Sequence, residues 1–203
     1  MKTLYSVGII DTDEKLQTFK VVDGKQKLDW VCPYYSRWAS MLQRCYSDKL
    51  HQKYPTYIGC EVSQDWLRFS KFKSWMDAQD WQGKVLDKDL IGTGKLYSEE
   101  YCCFISPGLN LFMNTNKASR GELPIGVWFD KNSGKYRAQC GNPSTGKSVK
   151  LGHFLTIESA FQAWANKKHE FSKTFLVSEQ DSRIKEAIER KFSLENLLTN
   201  YLR

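Results

Sequence analysis

Histidine is nearly missing from this chain of 203 residues, with His51, His153 and His169 the whole supply. None of the three stands in the central third, where acidic and amide residues cluster. No pair of cysteines has the C-x2-C spacing that announces a zinc site, so no zinc is expected. No apolar run approaches the length needed to span a bilayer, and residues 1–23 read as neither a signal peptide nor a transit peptide. A membrane span and a Sec-exported precursor are therefore not expected, and a reducing cytoplasm is the expected compartment. There is no internal repeat, no low-complexity tract and no Pro/Gly/Ser linker. The length suits one large domain or two small ones, each able to bury a core.

Charge of one sign is in excess. Thirty lysines and arginines against 23 carboxylates give a net charge of +7, and the isoelectric point near 9.0 favours polyanionic partners, nucleic acid first. Aromatic residues make up 14% of the chain, seven of them Trp, which is heavy for so polar a composition. Core packing is the ordinary use of such rings and stacking on bases the other. The cysteines Cys32, Cys45, Cys60, Cys102, Cys103 and Cys140 read as buried thiols. The irregular spacing of the first three leaves a metal site as the alternative.

Periodicity predicts an α+β fold. A short hairpin is expected within residues 1–23, turning around Asp11-Thr12-Asp13. Tyr34, Trp38, Met41, Leu42 and Cys45 fall on one face of a helix, with Arg37 and Arg44 elsewhere on its surface. A second helix, capped by Ser63, turns Trp66, Phe69, Phe72, Trp75 and Met76 inward. Strands are predicted over 85–90 and 101–105, with a turn at Gly92-Thr93-Gly94 between them. Pro107 then opens a helix and 116–124 forms a loop. Three antiparallel strands follow over 125–130, 135–140 and 147–154. Thr156 caps a helix carrying Ile157, Ala160, Phe161, Trp164 and Ala165 on one stripe. A last helix over 181–201 can pack on the body or pair with a second copy as a homodimer contact.

The positive excess is concentrated. Between Lys117 and His153, seven basic residues stand against Glu122 and Asp130, which accounts for five of the seven excess charges. One helix can cover only one face of a three-stranded sheet. Strand alternation puts Val127, Phe129, Tyr136, Ala138 and Cys140 on one side and Trp128, Lys135, Arg137 and Gln139 on the other. Guanidinium groups fork onto guanine edges, glutamine onto adenine, and lysines such as Lys131, Lys147 and Lys150 neutralise phosphates. A solvated sheet face is the plainer alternative.

Gly126-Val127-Trp128, Gly134-Lys135-Tyr136-Arg137-Ala138-Gln139, Leu151-Gly152-His153-Phe154 and Thr156-Ile157-Glu158-Ser159-Ala160-Phe161 follow one another in an order that resembles the ethylene-response-factor (APETALA-type) DNA-binding domain of plants, also carried by phage endonucleases. The resemblance covers about residues 119–175. It implies a sheet docked in the major groove of double-stranded DNA, with Arg120, Trp128, Lys135, Arg137 and Gln139 facing the duplex.

A second constellation is Leu86-Asp87-Lys88-Asp89-Leu90 followed by Asn110 and Asn114. The order of strand, loop, strand and helix resembles the ββα-metal core of HNH homing endonucleases, here over about 84–116 within an N-terminal region of 1–116. The aromatic run from Cys32 to Trp75 is similar to the stretch that precedes Leu-Asp-Lys-Asp in such phage proteins. The chemistry needs a divalent metal on carboxylate and amide oxygens, a base to deprotonate water, and a cation near the phosphate. The resemblance implies Asp87, Asp89, Asn110 and Asn114 around Mg2+ or another divalent cation, with Lys88 at the phosphate. Asp87 and Asp89 are expected on one strand face. Asp87, Lys88 and Asp89 occupy the segment where the family carries its catalytic His. Two readings follow: a metal-dependent DNA endonuclease in the host cytoplasm, or a descendant that kept DNA binding and acts as a repressor or regulatory factor.

Overall fold

The computed structural model describes residues 2–92, 94–114 and 122–201. The fold is α+β, as the periodicity predicts. The chain divides into two compact units, Met1–Ile105 and Ser106–Arg203. Among the described residues no helix is long and apolar enough to cross a membrane.

The first unit opens with two hairpins rather than one. Strands β1 (Lys2–Leu4) and β2 (Gly8–Ile10) pair around Tyr5-Ser6, and both turn residues hold positive φ. Strands β3 (Gln17–Val22) and β4 (Lys25–Val31) pair around Asp23-Gly24. Positive φ at both positions of this turn is the geometry that suits the twist of a tight hairpin. The expected turn at Asp11-Thr12-Asp13 is instead a connection, because Asp11 is engaged elsewhere. Helix α1 (Pro33–Tyr46) buries Trp38, Met41, Leu42 and Cys45, the face its spacing predicts. Short helix α2 (Asp48–Lys53) follows, capped by the Ser47 hydroxyl on the Leu50 N–H. The two-residue strand β5 (Glu61–Val62) leads to a 3-10 turn at Asp65–Leu67 and then to helix α3 (Phe69–Asp77).

Ser63 does not cap α3; its carbonyl holds the 3-10 turn instead. The cap comes from far along the chain. The Asp11 carboxylate accepts the Ser70 N–H at 2.9 Å and the Ser70 hydroxyl at 2.7 Å, satisfying a first-turn amide that the helix cannot. Trp66, Phe69, Phe72, Trp75 and Met76 join the α1 residues in one aromatic core, and the Trp38 indole N–H donates to the Trp66 carbonyl at 2.7 Å. Strand β2 reaches this core because Gly8 lacks a side chain: a Cβ there would stand 2.3 Å from Leu42 Cδ1. Strands β6 (Val85–Asp87) and β8 (Cys103–Ile105) pair antiparallel, while β7 (Leu96–Tyr97) runs parallel to β5.

The second unit begins with helix α4 (Pro107–Met113), capped by the Ser106 hydroxyl on the Leu109 N–H. Strands β9 (Val127–Asp130), β10 (Lys135–Gly141) and β11 (Ser148–Phe154) form an antiparallel sheet with β10 in the middle. Helix α5 (Ile157–Ser178) packs across one face, burying Ala160, Phe161, Trp164 and Ala165. Its Thr156 cap accepts the Ser159 N–H at 3.1 Å, as the sequence pattern predicts. The last helix is two: α6 (Ser182–Lys191) and α7 (Leu194–Tyr201). The break falls at Phe192, which is buried, and at Ser193, whose hydroxyl accepts the Asn196 N–H at the start of α7.

Candidate nucleic-acid interface

The face of the sheet away from α5 is built by register. Trp128 on β9 stands opposite Arg137 on β10, and Arg137 stands opposite His153 on β11. Directly opposed residues share a face, so an indole, a guanidinium and an imidazole form one row across the three strands. Lys135 and Arg137 are exposed and Gln139 is half-buried, while their neighbours Ala138 and Cys140 are buried under α5. Lys131, Lys147 and Lys150 are exposed around this row. Arg120, like Lys117, lies outside the described residues. His153, which alternation from the sequence left unassigned, is found by pairing the strands from the turn inward.

The β10–β11 ladder shifts by one residue between Ala138 and Gln139. Gln139 pairs with Lys150 and Ala138 with Gly152, so Leu151 has no partner, a bulge that re-aims the side chains beside it. A groove of about 460 Å3 lies along it between Arg137, Gln139, Lys150 and His153. One carboxylate borders the row. Asp130 Oδ2 lies 3.4 Å from His153 Nε2, and hydrogen bonds from Ser133 and the Asn132 N–H, with the charge of Arg137 behind them, hold its carboxyl below the usual range.

Phe129 departs from expectation. It is 49% exposed although alternation assigns it to the covered side. Its ring packs on Tyr136 at 5.2 Å, and the buried part of the sheet lies at Val127, Ala138 and Cys140 instead.

The Leu-Asp-Lys-Asp segment is built differently from the expected pair of carboxylates on one strand face. Strand β6 ends at Asp87 and the chain bends through Lys88–Leu90. Asp87 Oδ1 accepts the Asp89 N–H at 2.9 Å and the Leu90 N–H at 2.8 Å, so it fastens the bend. Lys88 is buried and its Nζ sits 2.5 Å from Asp89 Oδ1. Burial works to lower the Lys88 pKa, but the hydrogen bond and charge of Asp89 outweigh it and raise it. Arg44 and Tyr97 lie in the same neighbourhood, unanticipated from the sequence. Burial again works against the Arg44 charge, and Tyr97, Tyr57 and Asp87 more than compensate. The Arg44 guanidinium stands over the Tyr57 ring at 5.8 Å. Arg44 and Arg37 are thus half-buried rather than surface residues, and Arg37 donates to the Lys84 carbonyl.

As a set of cation ligands these groups fit poorly. Asp87 Oδ1 accepts two backbone amides, and the Lys88 ammonium pairs with Asp89 Oδ1. Among the described residues no three or more His, Cys, Asp or Glu side chains gather as metal ligands, and Cys32, Cys45 and Cys60 are free buried thiols. Asn110 is an exposed residue of α4 in the second unit, and Asn114 is the C-terminal cap that follows that helix.

No family model, curated protein or solved structure matches the chain.

Proposed function

We propose that the protein is a double-stranded DNA-binding protein that reads sequence with the sheet β9–β11. The observation that carries this reading is the register row of Trp128, Arg137 and His153 on the face opposite α5, bordered by exposed Lys135, Lys147 and Lys150. A two- or three-stranded ribbon fits the major groove, where Arg137 reaches a guanine edge and Gln139 an adenine edge. The surrounding lysines take phosphates and supply the salt-dependent part of the affinity. An uncovered, basic sheet face is what such reading requires.

Between cutting and binding alone, the binding reading is the better supported. Lys88 pairs with one Asp89 oxygen and one Asp87 oxygen fastens the bend, so both carboxylates have structural partners that the sheet face does not depend on. The proposal is therefore a DNA-binding factor, a repressor or regulator, built on the plan of an HNH homing endonuclease. Selection of bound duplexes from a random pool tests it. A consensus site should emerge, and that site should remain intact on incubation with Mg2+ or Mn2+. Failure to retain any duplex in dilute buffer would end the binding reading. Nicking that disappears in Asp89→Ala would restore the endonuclease.

A further inference from the structure

Helix α5 carries a lysine on its apolar stripe. Lys168 lies one turn beyond Trp164 and is only 7% exposed. Its Nζ donates to the Phe112 carbonyl at 2.5 Å and stands 3.4 Å from the centre of the Phe112 ring. An ammonium has three N–H donors; around this one stand one carbonyl and the rings of Phe112, Trp164 and Phe192, and among the described residues no carboxylate forms an ion pair with it. Burial lowers its pKa to about 8, against a smaller upward pull from Cys140, so the side chain is largely charged at neutral pH. An unpaired buried charge is costly.

A cavity of about 310 Å3 is lined in part by Lys168. Phe112, Trp128, Trp164, Gln139 and Cys140 line it together with Lys168. The volume suits a small molecule, and aromatic walls with a few polar groups are the usual construction of such sites. The Cys140 thiol is no competing anion, since burial pushes its pKa up to about 11. One fixed positive charge in an aromatic recess is complementary to one negative charge on a flat apolar body. A doubly charged phosphate ester would bring one charge too many.

We infer that this cavity binds a small planar organic carboxylate, the carboxylate taken by Lys168 and the ring lying against the indoles of Trp128 and Trp164. The cavity shares Trp128 and Gln139 with the proposed reading face, but its test contains no nucleic acid, so failure of the one is distinguishable from failure of the other. The full-length protein is titrated with 2-naphthoate and with the neutral 2-naphthamide, binding being followed by tryptophan fluorescence and calorimetry. Naphthoate should bind about tenfold or more tightly than the amide, the worth of one charge-assisted hydrogen bond out of water. In Lys168→Met that preference should collapse while the amide affinity stays. Ile125→Trp, which fills the cavity from its rim and keeps the lysine, should weaken both probes. Equal affinities in the unaltered protein, absence of saturable naphthoate binding, or a preference that survives Lys168→Met would overturn the assignment. If Lys168→Met does not fold, the carboxylate preference of the unaltered protein and the weakening of both probes in Ile125→Trp decide.

Discussion

Arg137 is the residue on which the proposed reading is sharpest. Its neighbours in register are Trp128 and His153, so its head is held at the centre of the sheet face. Arg137→Ala should cost about 1–3 kcal/mol of binding to the selected site and relax preference at one base position; a repeat of the selection with the variant measures both. An unchanged consensus would remove Arg137 from the reading face. Asp11 supplies a test of folding rather than recognition. Burial works to raise its pKa, but hydrogen bonds from Ser70 and the charge of Arg68 hold it below 3.8. A depressed folded pKa means stability that is present above the ordinary carboxylate range and lost as pH falls through the folded value. Asp11→Ala should therefore lower the urea midpoint by the equivalent of about 0.5–2 kcal/mol at pH 7, and the gap should close in acid. At this scale the alternation of Lys135, Arg137 and Gln139 was legible because strands repeat every second residue. The partners of Asp11, Asp87 and Arg44 were not, because each bond joins segments that sequence periodicity treats separately. Lys168 left a legible trace: a lysine on an apolar helical stripe, four residues after Trp164.

Among elements, the sheet and α5 hold together through a glycine. Gly126 has a φ of 77°, and a Cβ placed there would stand 2.1 Å from Trp164 Cδ1. Gly126→Ala should thus unseat the start of β9 from the helix at a cost of about 1–3 kcal/mol, read as an earlier denaturant midpoint with reduced protection of the β9 amides from exchange. Elements whose pattern is strong were expected within a residue or two: α1, the start of α5 with its Thr156 cap, and the three strands of the sheet; the run of α5 on to Ser178 was not. Those that differ have physical causes. Strand β6 stops at Asp87 because its carboxylate captures the next two amides of the bend. The terminal helix breaks where Phe192 is buried and Ser193 begins a new cap. The Asp23-Gly24 turn carried the standard hairpin signal, yet the apolar residues flanking it, Phe19 and Leu28, pair with each other in the open rather than over a core.

For the molecule as a whole, charge and thiols give two further checks. Lys150→Ala and Lys147→Ala should weaken binding to all duplexes alike, each flattening the slope of log affinity against log salt by about 1. All six cysteines are buried, and burial pushes the pKa of Cys45 and of Cys102 up to about 12. Iodoacetamide should therefore leave the native protein unlabelled and modify six sites after denaturation, counted by mass spectrometry. The first sixteen residues have a consequence of their own. Leu4, Val7, Ile10 and Leu16 pack on the aromatic core, Gly8 fits against Leu42, and Asp11 closes the end of α3. A protease cutting after Lys15 would not trim a loose end but sever the strap that keeps the first unit shut, and the clipped protein should lose its tryptophan environment before it loses a single strand of the basic sheet.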